Sequence, residues 1–416
     1  MRVFGDDGFR DIFGKGFLSK KFLDFFFSNL NVFLKSAKIK KVIIGYDTRI
    51  SYKKIISIIL TNLNFSGDIE ILNKPVPTPC VSYLSRKKIN TFFIMITASH
   101  FDKRFNGFKF FYKGKKLTKK YEKDILKSKI IKKKEDTNKR TKVKYIKDYY
   151  LYENYLNNNF KNKKSTKSIL LDFAYGSASS MIGNIKFFKN IDKIKYSYNY
   201  NNINFKCGSN FFEKNLKNKK YNRYDYVIAF DGDADRAVFY KRQYGIIESE
   251  KMCIIFAKFL KSKSVISTNI SNPDLKNYLN DNQIKCYQTQ VGDRNITELQ
   301  KKKLSKIGFE TSGHYSFNNY MDGVFAAGLF IDILEKNEDL INKTLSIKFR
   351  YKLHKLNFNE KKFQLLKKIK FSKYKYLKVL IRKSIWNNIF RIYFFYLKNN
   401  QAQFSKLLSQ VKKLLK

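Results

Sequence analysis

Ser99 lies in Thr97-Ala98-Ser99-His100, directly after the apolar run Thr91-Phe92-Phe93-Ile94-Met95-Ile96, and Asn106-Gly107-Phe108-Lys109 follows shortly behind. The apolar run has the length and the β-branched and aromatic content of a buried strand. A hydroxyl at the carboxyl end of such a strand sits where open α/β sheets present reactive groups. The imidazole of His100 and the amine of Lys109 are placed to orient that hydroxyl or to move protons. Taken alone, a Ser-His pair is more often an ordinary polar turn closing a strand.

A second group, Asp231-Gly232-Asp233-Ala234-Asp235-Arg236, follows the apolar run Tyr226-Val227-Ile228-Ala229-Phe230. Three carboxylates at alternate positions, with a glycine to let the backbone bend, can turn oxygens toward one point. That donor set suits Mg²⁺, a hard cation that takes a few carboxylates and leaves room for phosphate oxygen. A calcium EF-hand is excluded, because the position that should carry its late glutamate is Arg242. A third group, Gly308-Phe309-Glu310-Thr311-Ser312-Gly313-His314, sets a carboxylate, a hydroxyl and an imidazole between glycines. Such a loop can hydrogen-bond a polyhydroxylated ligand, or be a plain glycine-rich turn.

The elements that must position these groups repeat one theme. Lys41-Val42-Ile43-Ile44-Gly45-Tyr46-Asp47-Thr48-Arg49 reads as a short buried strand ending in a polar loop, and Tyr52 to Leu63 as a helix. Pro75-Val76-Pro77-Thr78-Pro79 is a stiff connection that cannot lie in a central strand. Lys113 to Lys147 reads as a solvated helix and tail. Ser168 to Phe173 opens a second unit with the loop Ala174-Tyr175-Gly176-Ser177. In a third, Ser264 to Thr268 and Cys286 to Val291 are strands, Asp274 to Leu279 lies on a helix, and Gly292-Asp293-Arg294 ends the second strand. The last seventy residues contain no glycine or proline and read as a separate small domain. The expected domains are 1–150, 151–250, 251–345 and 346–416.

Composition bounds the function. Lys plus Arg number 85 against 34 Asp plus Glu, a net charge of +51. That balance raises nucleic acid as a partner. The excess, however, is spread along the whole chain together with abundant Asn, Ile, Phe and Tyr, as AT-rich codon drift would produce. No nucleic-acid motif accompanies it, so compositional drift is the preferred account of the charge and nucleic acid the lesser one. Hydrophobic residues at 43% exclude a disordered chain. Cys80, Cys207, Cys253 and Cys286 show no CxxC spacing, consistent with a reducing cytoplasm and no zinc site or disulfide framework. No signal peptide or membrane span is read, so no membrane partner is expected.

A serine that can carry a phosphoryl group, a divalent-metal clamp, a sugar-type loop and several arginines are the parts of phosphoryl transfer. With these motifs in this order the chain resembles the α-D-phosphohexomutases, most closely the bacterial phosphoglucosamine branch. The resemblance runs from Phe4-Gly5-Asp6-Asp7-Gly8-Phe9-Arg10 to about residue 330, through Gly45 to Arg49, Pro75 to Pro79, Thr97 to His100, Cys207-Gly208-Ser209, Asp231 to Arg236, Val291 to Arg294 and Gly308 to His314. It implies three similar mixed α/β domains plus a smaller α+β C-terminal domain around a central active-site cleft. It also implies Ser99 as a phosphoserine that binds Mg²⁺ together with Asp231, Asp233 and Asp235. Lys109, with His100 and Arg10, would move protons, the lysine pKa lowered by cationic neighbours. Glu310, Ser312, His314 and Arg236 would bind the sugar phosphate, and a sugar bisphosphate would be the intermediate. Asp293 and Arg294 fit a structural or metal-side pairing.

The chain departs from the family at Phe101-Asp102, where Asn-Pro is usual, and at Asp6 and Asp11 in the first motif. Its C-terminal phosphate loop is Arg382-Lys383-Ser384-Ile385-Trp386-Asn387-Asn388, without the family's glycine. Arg382, Ser384 and Arg391 are the phosphate ligands that this alignment leaves, and weaker phosphate binding follows. Three readings stay open: a phosphoglucosamine mutase feeding UDP-N-acetylglucosamine and cell-wall synthesis, a phosphomannose or phosphoglucose mutase, and a non-catalytic homologue that binds sugar phosphate or RNA. The expected state is a cytoplasmic monomer or homodimer.

Overall fold

The computed structural model describes residues 3–5, 7–63, 65, 67–88, 90–127, 142–160, 167–194, 202–216, 219–359, 362–367, 369–383 and 389–415. The chain forms two compact units, Met1–Ser249 with Ser312–Glu338, and Glu250–Thr311 with Asp339–Lys416.

In the first unit a seven-stranded sheet comprises β1 (Phe9–Ile12), β2 (Lys41–Tyr46), β3 (Asp68–Leu72), β4 (Thr91–Ile96), β5 (Phe105–Tyr112), β6 (Lys115–Lys116) and β7 (Val143–Ile146). Its order is β1-β5-β4-β2-β3-β7, with β6 on β5. The strands β4, β2, β3 and β7 run parallel, while β5 is antiparallel to both β4 and β1. Every residue of β4 is buried, as its unbroken apolar run requires of a strand covered on both faces. The helix Lys20–Ser36 buries Leu23, Phe26, Phe27, Leu30, Phe33 and Leu34 at helical spacing, and the Ser19 hydroxyl accepts from the Phe22 N–H at 3.3 Å to cap it. Phe4, Phe9, Phe26, Phe108 and Phe110 meet mostly edge-on or tilted, so this core is built of aromatic rings.

The stretch from Lys113 to Lys147 differs from expectation. A helix forms at Lys119–Lys127, but Val143–Ile146 is strand β7, paired in parallel with β3. Its edge position leaves Val143 and Tyr145 exposed, so it carries none of the apolar continuity that marks a buried strand.

A second sheet comprises β8 (Ile169–Asp172), β9 (Asp192–Ile194), β10 (Tyr226–Phe230), β11 (Ala237–Lys241) and β12 (Gly245–Ile247), in the order β12-β11-β10-β8-β9. Central β10 is buried throughout and runs parallel to β8 and antiparallel to β11.

In the second unit β13 (Ser264–Thr268) pairs in parallel with both β14 (Lys285–Thr289) and β15 (Ile307–Glu310). The helix Pro273–Asp281 starts with proline and is capped by Asn272, whose side chain accepts from the Asp274 N–H at 3.0 Å. In the first unit, β16 (His314–Phe317) and β17 (Tyr320–Met321) make a hairpin. The last part of the second unit is antiparallel, with β18 (Tyr351–Asn359), β19 (Leu377–Lys383) and β20 (Ile389–Leu397) in the order β18-β20-β19. The helix Gln401–Leu414 packs Phe404, Leu407 and Val411 onto Ile392 and Phe394 of this sheet. The molecule is thus of the mixed α/β class, with an α+β C-terminal part. Among the described residues no helix is long and apolar enough to cross a membrane.

Candidate active site

The turn after β4 places Ser99 and the strand that returns places Lys109, which pairs with Met95. Ser99 adopts φ +52°, a left-handed conformation uncommon for serine. Its N–H donates to the Thr97 hydroxyl at 2.9 Å, and that hydroxyl donates to Asp47 at 2.7 Å. Arg49, fully buried, pairs with Asp47 and donates to the Ser99 carbonyl at 3.0 Å and to the Phe101 carbonyl. The Asn204 amide donates to the same two carbonyls at 2.8 and 2.9 Å.

The Ser99 hydroxyl donates to Asp231 at 2.8 Å. Asp231, Asp233 and Asp235 follow β10, and one carboxylate oxygen from each lies within 4.8 Å of the others, all buried. Gly232 is required here, because a Cβ would stand 2.8 Å from the Ser99 carbonyl and 2.7 Å from the Asn204 amide. Thr78 anchors the acidic loop, its N–H donating to the Asp233 carbonyl at 2.9 Å and its hydroxyl to the Asp233 carboxylate at 2.5 Å. The Asp233 Oδ1 atom is buried with no hydrogen-bond donor among the described residues. Three converging carboxylates, one of which keeps an oxygen without a donor, fit a divalent cation.

Lys109 contacts Asp235 at 2.5 Å and Asp233 and Asp7 at 2.8 Å. Burial alone would lower its pKa, but the three carboxylates outweigh burial and hold it well above the ordinary lysine value. The expected lowered lysine pKa is therefore corrected: its neighbours are anionic, and the amine is an ammonium. Burial raises the carboxyl of Asp231 to about 7, helped by Asp235 and Asp233. For Asp235 burial acts in the same direction, but Lys109, His314 and Arg236 overcome it and hold the carboxyl well below its usual range.

His314 Nε2 lies 3.1 Å from Arg236 Nε and 3.2 Å from Asp235, and its Nδ1 lies 2.9 Å from the Ser312 hydroxyl. A guanidinium N–H can only donate, so Nε2 must be bare to bond Arg236 and must carry a hydrogen to bond Asp235. The two bonds exclude each other, and the lowering of the Asp235 carboxyl by His314 requires Nε2–H. Arg236 also approaches Asp231 at 3.6 Å. Arg10, opposite Gly107 on β5, lies over Phe101 at 5.4 Å. Burial, then Arg236 and Arg10, push the His100 imidazole well below the usual histidine value, so it is neutral.

The first unit thus brings together Ser99, His100, Lys109, Arg10, the three aspartates, Arg236, Ser312 and His314. Glu310, Arg382 and Arg391 belong to the second unit. There the Glu310 carboxylate accepts from the Gly292 N–H at 2.7 Å, and Arg382 and Arg391 are direct cross-strand partners. Ser384 lies outside the described residues. Sequence reasoning gave no role to Asp7, Thr78, Thr97 or Asn204, and none to the Asp47–Arg49 pair. Asp7, Asp47, Arg49, Thr78 and Thr97 carried a signal only as members of the quoted motifs and Asn204 carried none, because their partners are distant in the chain.

Residues 1–137 match phosphoglucomutase/phosphomannomutase alpha/beta/alpha domain I, and residues 248–350 match domain III. The chain is 31% identical over 357 residues to a phosphoglucosamine mutase of Clostridium kluyveri, covering 81% of this chain and 79% of that one. A phosphoglucosamine mutase of Prochlorococcus marinus is 30% identical over 341 residues, covering 78% and 75%. A phosphoglucomutase/phosphomannomutase family protein of Burkholderia thailandensis has the same fold, with TM-score 0.82 at 16% identity over 99% of this chain and 96% of that one. The N-acetylphosphoglucosamine mutase of Aspergillus fumigatus, solved with GlcNAc-6P and magnesium, superposes with TM-score 0.68 at 13% identity over 100% and 95%. The matched domains and the relatives' shared length place this chain in the α-D-phosphohexomutase family, as an isomerase of the phosphomutase kind.

Proposed function

We propose that the chain interconverts glucosamine 6-phosphate and glucosamine 1-phosphate through a phosphoserine at Ser99 and a sugar bisphosphate. The observation that carries this reading is the buried Ser99 hydroxyl donating to Asp231 at the edge of a three-carboxylate cluster. The phosphoglucosamine mutase relatives favour the amino sugar.

Ser99, Asp231, Asp233 and Asp235 would hold Mg²⁺, which when bound neutralises charge on the phosphate oxygens. In the proposed step a sugar hydroxyl oxygen bonds to phosphorus, the bond from phosphorus to Ser99 Oγ breaks, and Ser99 Oγ takes up a proton as it leaves. Neutral His100 is suited to accept the sugar's proton. The Lys109 ammonium can supply one to the leaving oxygen because an alkoxide is more basic than even an amine held well above the ordinary lysine value. Arg10 and Arg236 add positive charge for the moving phosphoryl group. The bisphosphate then returns its other phosphoryl group to Ser99 by the reverse bond changes. We assign Ser312, His314 and Glu310 to the sugar, and Arg382, Ser384 and Arg391 to its phosphate. The four domains 1–150, 151–250, 251–345 and 346–416, a cytoplasmic location and a role in cell-wall precursor supply belong to the same proposal.

The test is turnover of glucosamine 6-phosphate with trace sugar bisphosphate and Mg²⁺, for the native chain and Ser99→Ala. Turnover abolished by Ser99→Ala and by chelation is the expected result. Equal turnover by Ser99→Ala would refute the phosphoserine. Faster kcat/KM on mannose or glucose phosphates would reassign the sugar.

A further inference from the structure

The loop that carries Ser99 is held from two sides by side chains that touch none of the reacting atoms. Arg49, from the turn after β2, reaches the carbonyls of Ser99 and Phe101. Asn204 reaches the same two carbonyls from the segment between β9 and β10. The two carbonyls bracket His100, so one amide fixes both ends of the Ser99-His100-Phe101 turn.

Asn204 is built for this contact. It is 3% exposed, and its backbone is left-handed at φ +57°. Its N–H donates to the Ala174 carbonyl at 2.9 Å, which fixes the base of the side chain on the loop after β8. The absence of a side chain at Gly232 leaves the room in which the Asn204 amide and the Ser99 carbonyl meet. Farther along, Gly208, left-handed at φ +67°, donates its N–H to Asp172 at 2.9 Å, and the Asn210 amide donates to the His100 carbonyl at 3.0 Å. The whole segment from Asn204 to Asn210 is thus tied both to β8 and to the serine turn.

We propose that Asn204 is a positioning residue for phosphoryl transfer: its amide holds the left-handed Ser99 turn so that the Ser99 oxygen stays over the aspartate cluster. The proposal rests on the reading of Ser99 as the phosphoryl carrier. A carbonyl can only accept, so a carboxylate in place of the amide would repel both oxygens, whereas the amide satisfies both. The turn is also one that serine adopts reluctantly, and it persists because its surroundings over-determine it.

The variants are Asn204→Gly, which removes the amide and suits the left-handed backbone, Asn204→Asp, which keeps the shape, and Phe205→Ala as a control at an exposed neighbour. Each is assayed for kcat, KM, thermal midpoint and the fraction of Ser99 phosphorylated by sugar bisphosphate, read by intact-mass spectrometry. The expected result is a fall in kcat of about 10- to 100-fold for Asn204→Gly and more for Asn204→Asp, since a displacement of about 1 Å at a reacting group has that effect. KM should move by less than about threefold, and Phe205→Ala should match the native chain. Slower phosphorylation of Ser99 in a variant with a native-like midpoint is the readout that a merely structural role would not move. Native kcat and native phosphorylation in Asn204→Gly would overturn the proposal, provided that Ser99→Ala is inactive. Activity retained in Ser99→Ala would instead remove the reading on which it rests.

Discussion

Replacing Arg49 by Met should damage stability and catalysis for separable reasons. Arg49 and Asp47 form an ion pair with both side chains fully buried. Removing one member of such a pair leaves the other as an uncompensated buried charge and costs about 3 to 5 kcal/mol. A chain with a urea slope of roughly 3 kcal/mol/M would lose about 1 to 1.7 M in its midpoint. Burial already raises the Asp47 carboxyl above its ordinary value of 3.8, with Arg49 and the Thr97 hydroxyl opposing it. Without Arg49 it rises further. A carboxyl raised in the folded state carries its penalty above the unfolded pKa, so the Arg49→Met deficit should be full at pH 8 and shrink as pH falls toward about 4. In Asp47→Asn/Arg49→Met the buried charge is gone, and the single asparagine oxygen can still accept from one of the two donors that Asp47 holds, the backbone N–H at position 49, while the Thr97 hydroxyl loses its acceptor. Stability should therefore recover in part while activity does not, because the Arg49 donors to the Ser99 and Phe101 carbonyls are still missing and Asn204 alone holds them. Urea melts at pH 5 and 8, with mutase assays of both variants, make the comparison. A double variant as unstable as the single one, or a single variant shifted by less than about 0.3 M, would refute the reasoning.

Two further outcomes test the frame around the site. The Asp322 carboxyl, raised to about 7 by burial against hydrogen bonds from the Phe325 N–H and the Tyr152 hydroxyl, favours folding below its unfolded value and loses that contribution as pH rises toward 7. The stability gap between the native chain and Asp322→Asn should therefore shift by about 2 to 3 kcal/mol against the native chain between pH 5 and 8, read by denaturant melts. Leu304 is left-handed at φ +51° just past the helix Asp293–Lys303 and 88% exposed, so Leu304→Gly should stabilise by about 1 kcal/mol, seen as a higher thermal midpoint.

Much of the site was legible from local pattern. The apolar runs that became β4 and β10 are buried on both faces, and a strand of that kind announces both itself and the polar loop at its end. Ser99 and the three aspartates could therefore be read directly. The edge strand β7 could not be, because exposed strands lack that signature. Nor could the environment of Lys109 be read. The family resemblance set His100 and Arg10 beside it as cationic company, but folding sets Asp7, Asp233 and Asp235 around it, and electrostatics follows distance in space.

By itself the sequence determined the α/β class, the family and the residue types available for chemistry, because hydrophobic periodicity and loop motifs are local. Only the tertiary structure decided which atoms meet. The contacts from Arg49 to the Ser99 carbonyl, from Asn204 to the same carbonyl, from Thr78 to Asp233 and from His314 to Arg236 join residues 50 to 155 positions apart. Such pairings are set by how sheets and loops pack, and no spacing along the chain encodes them.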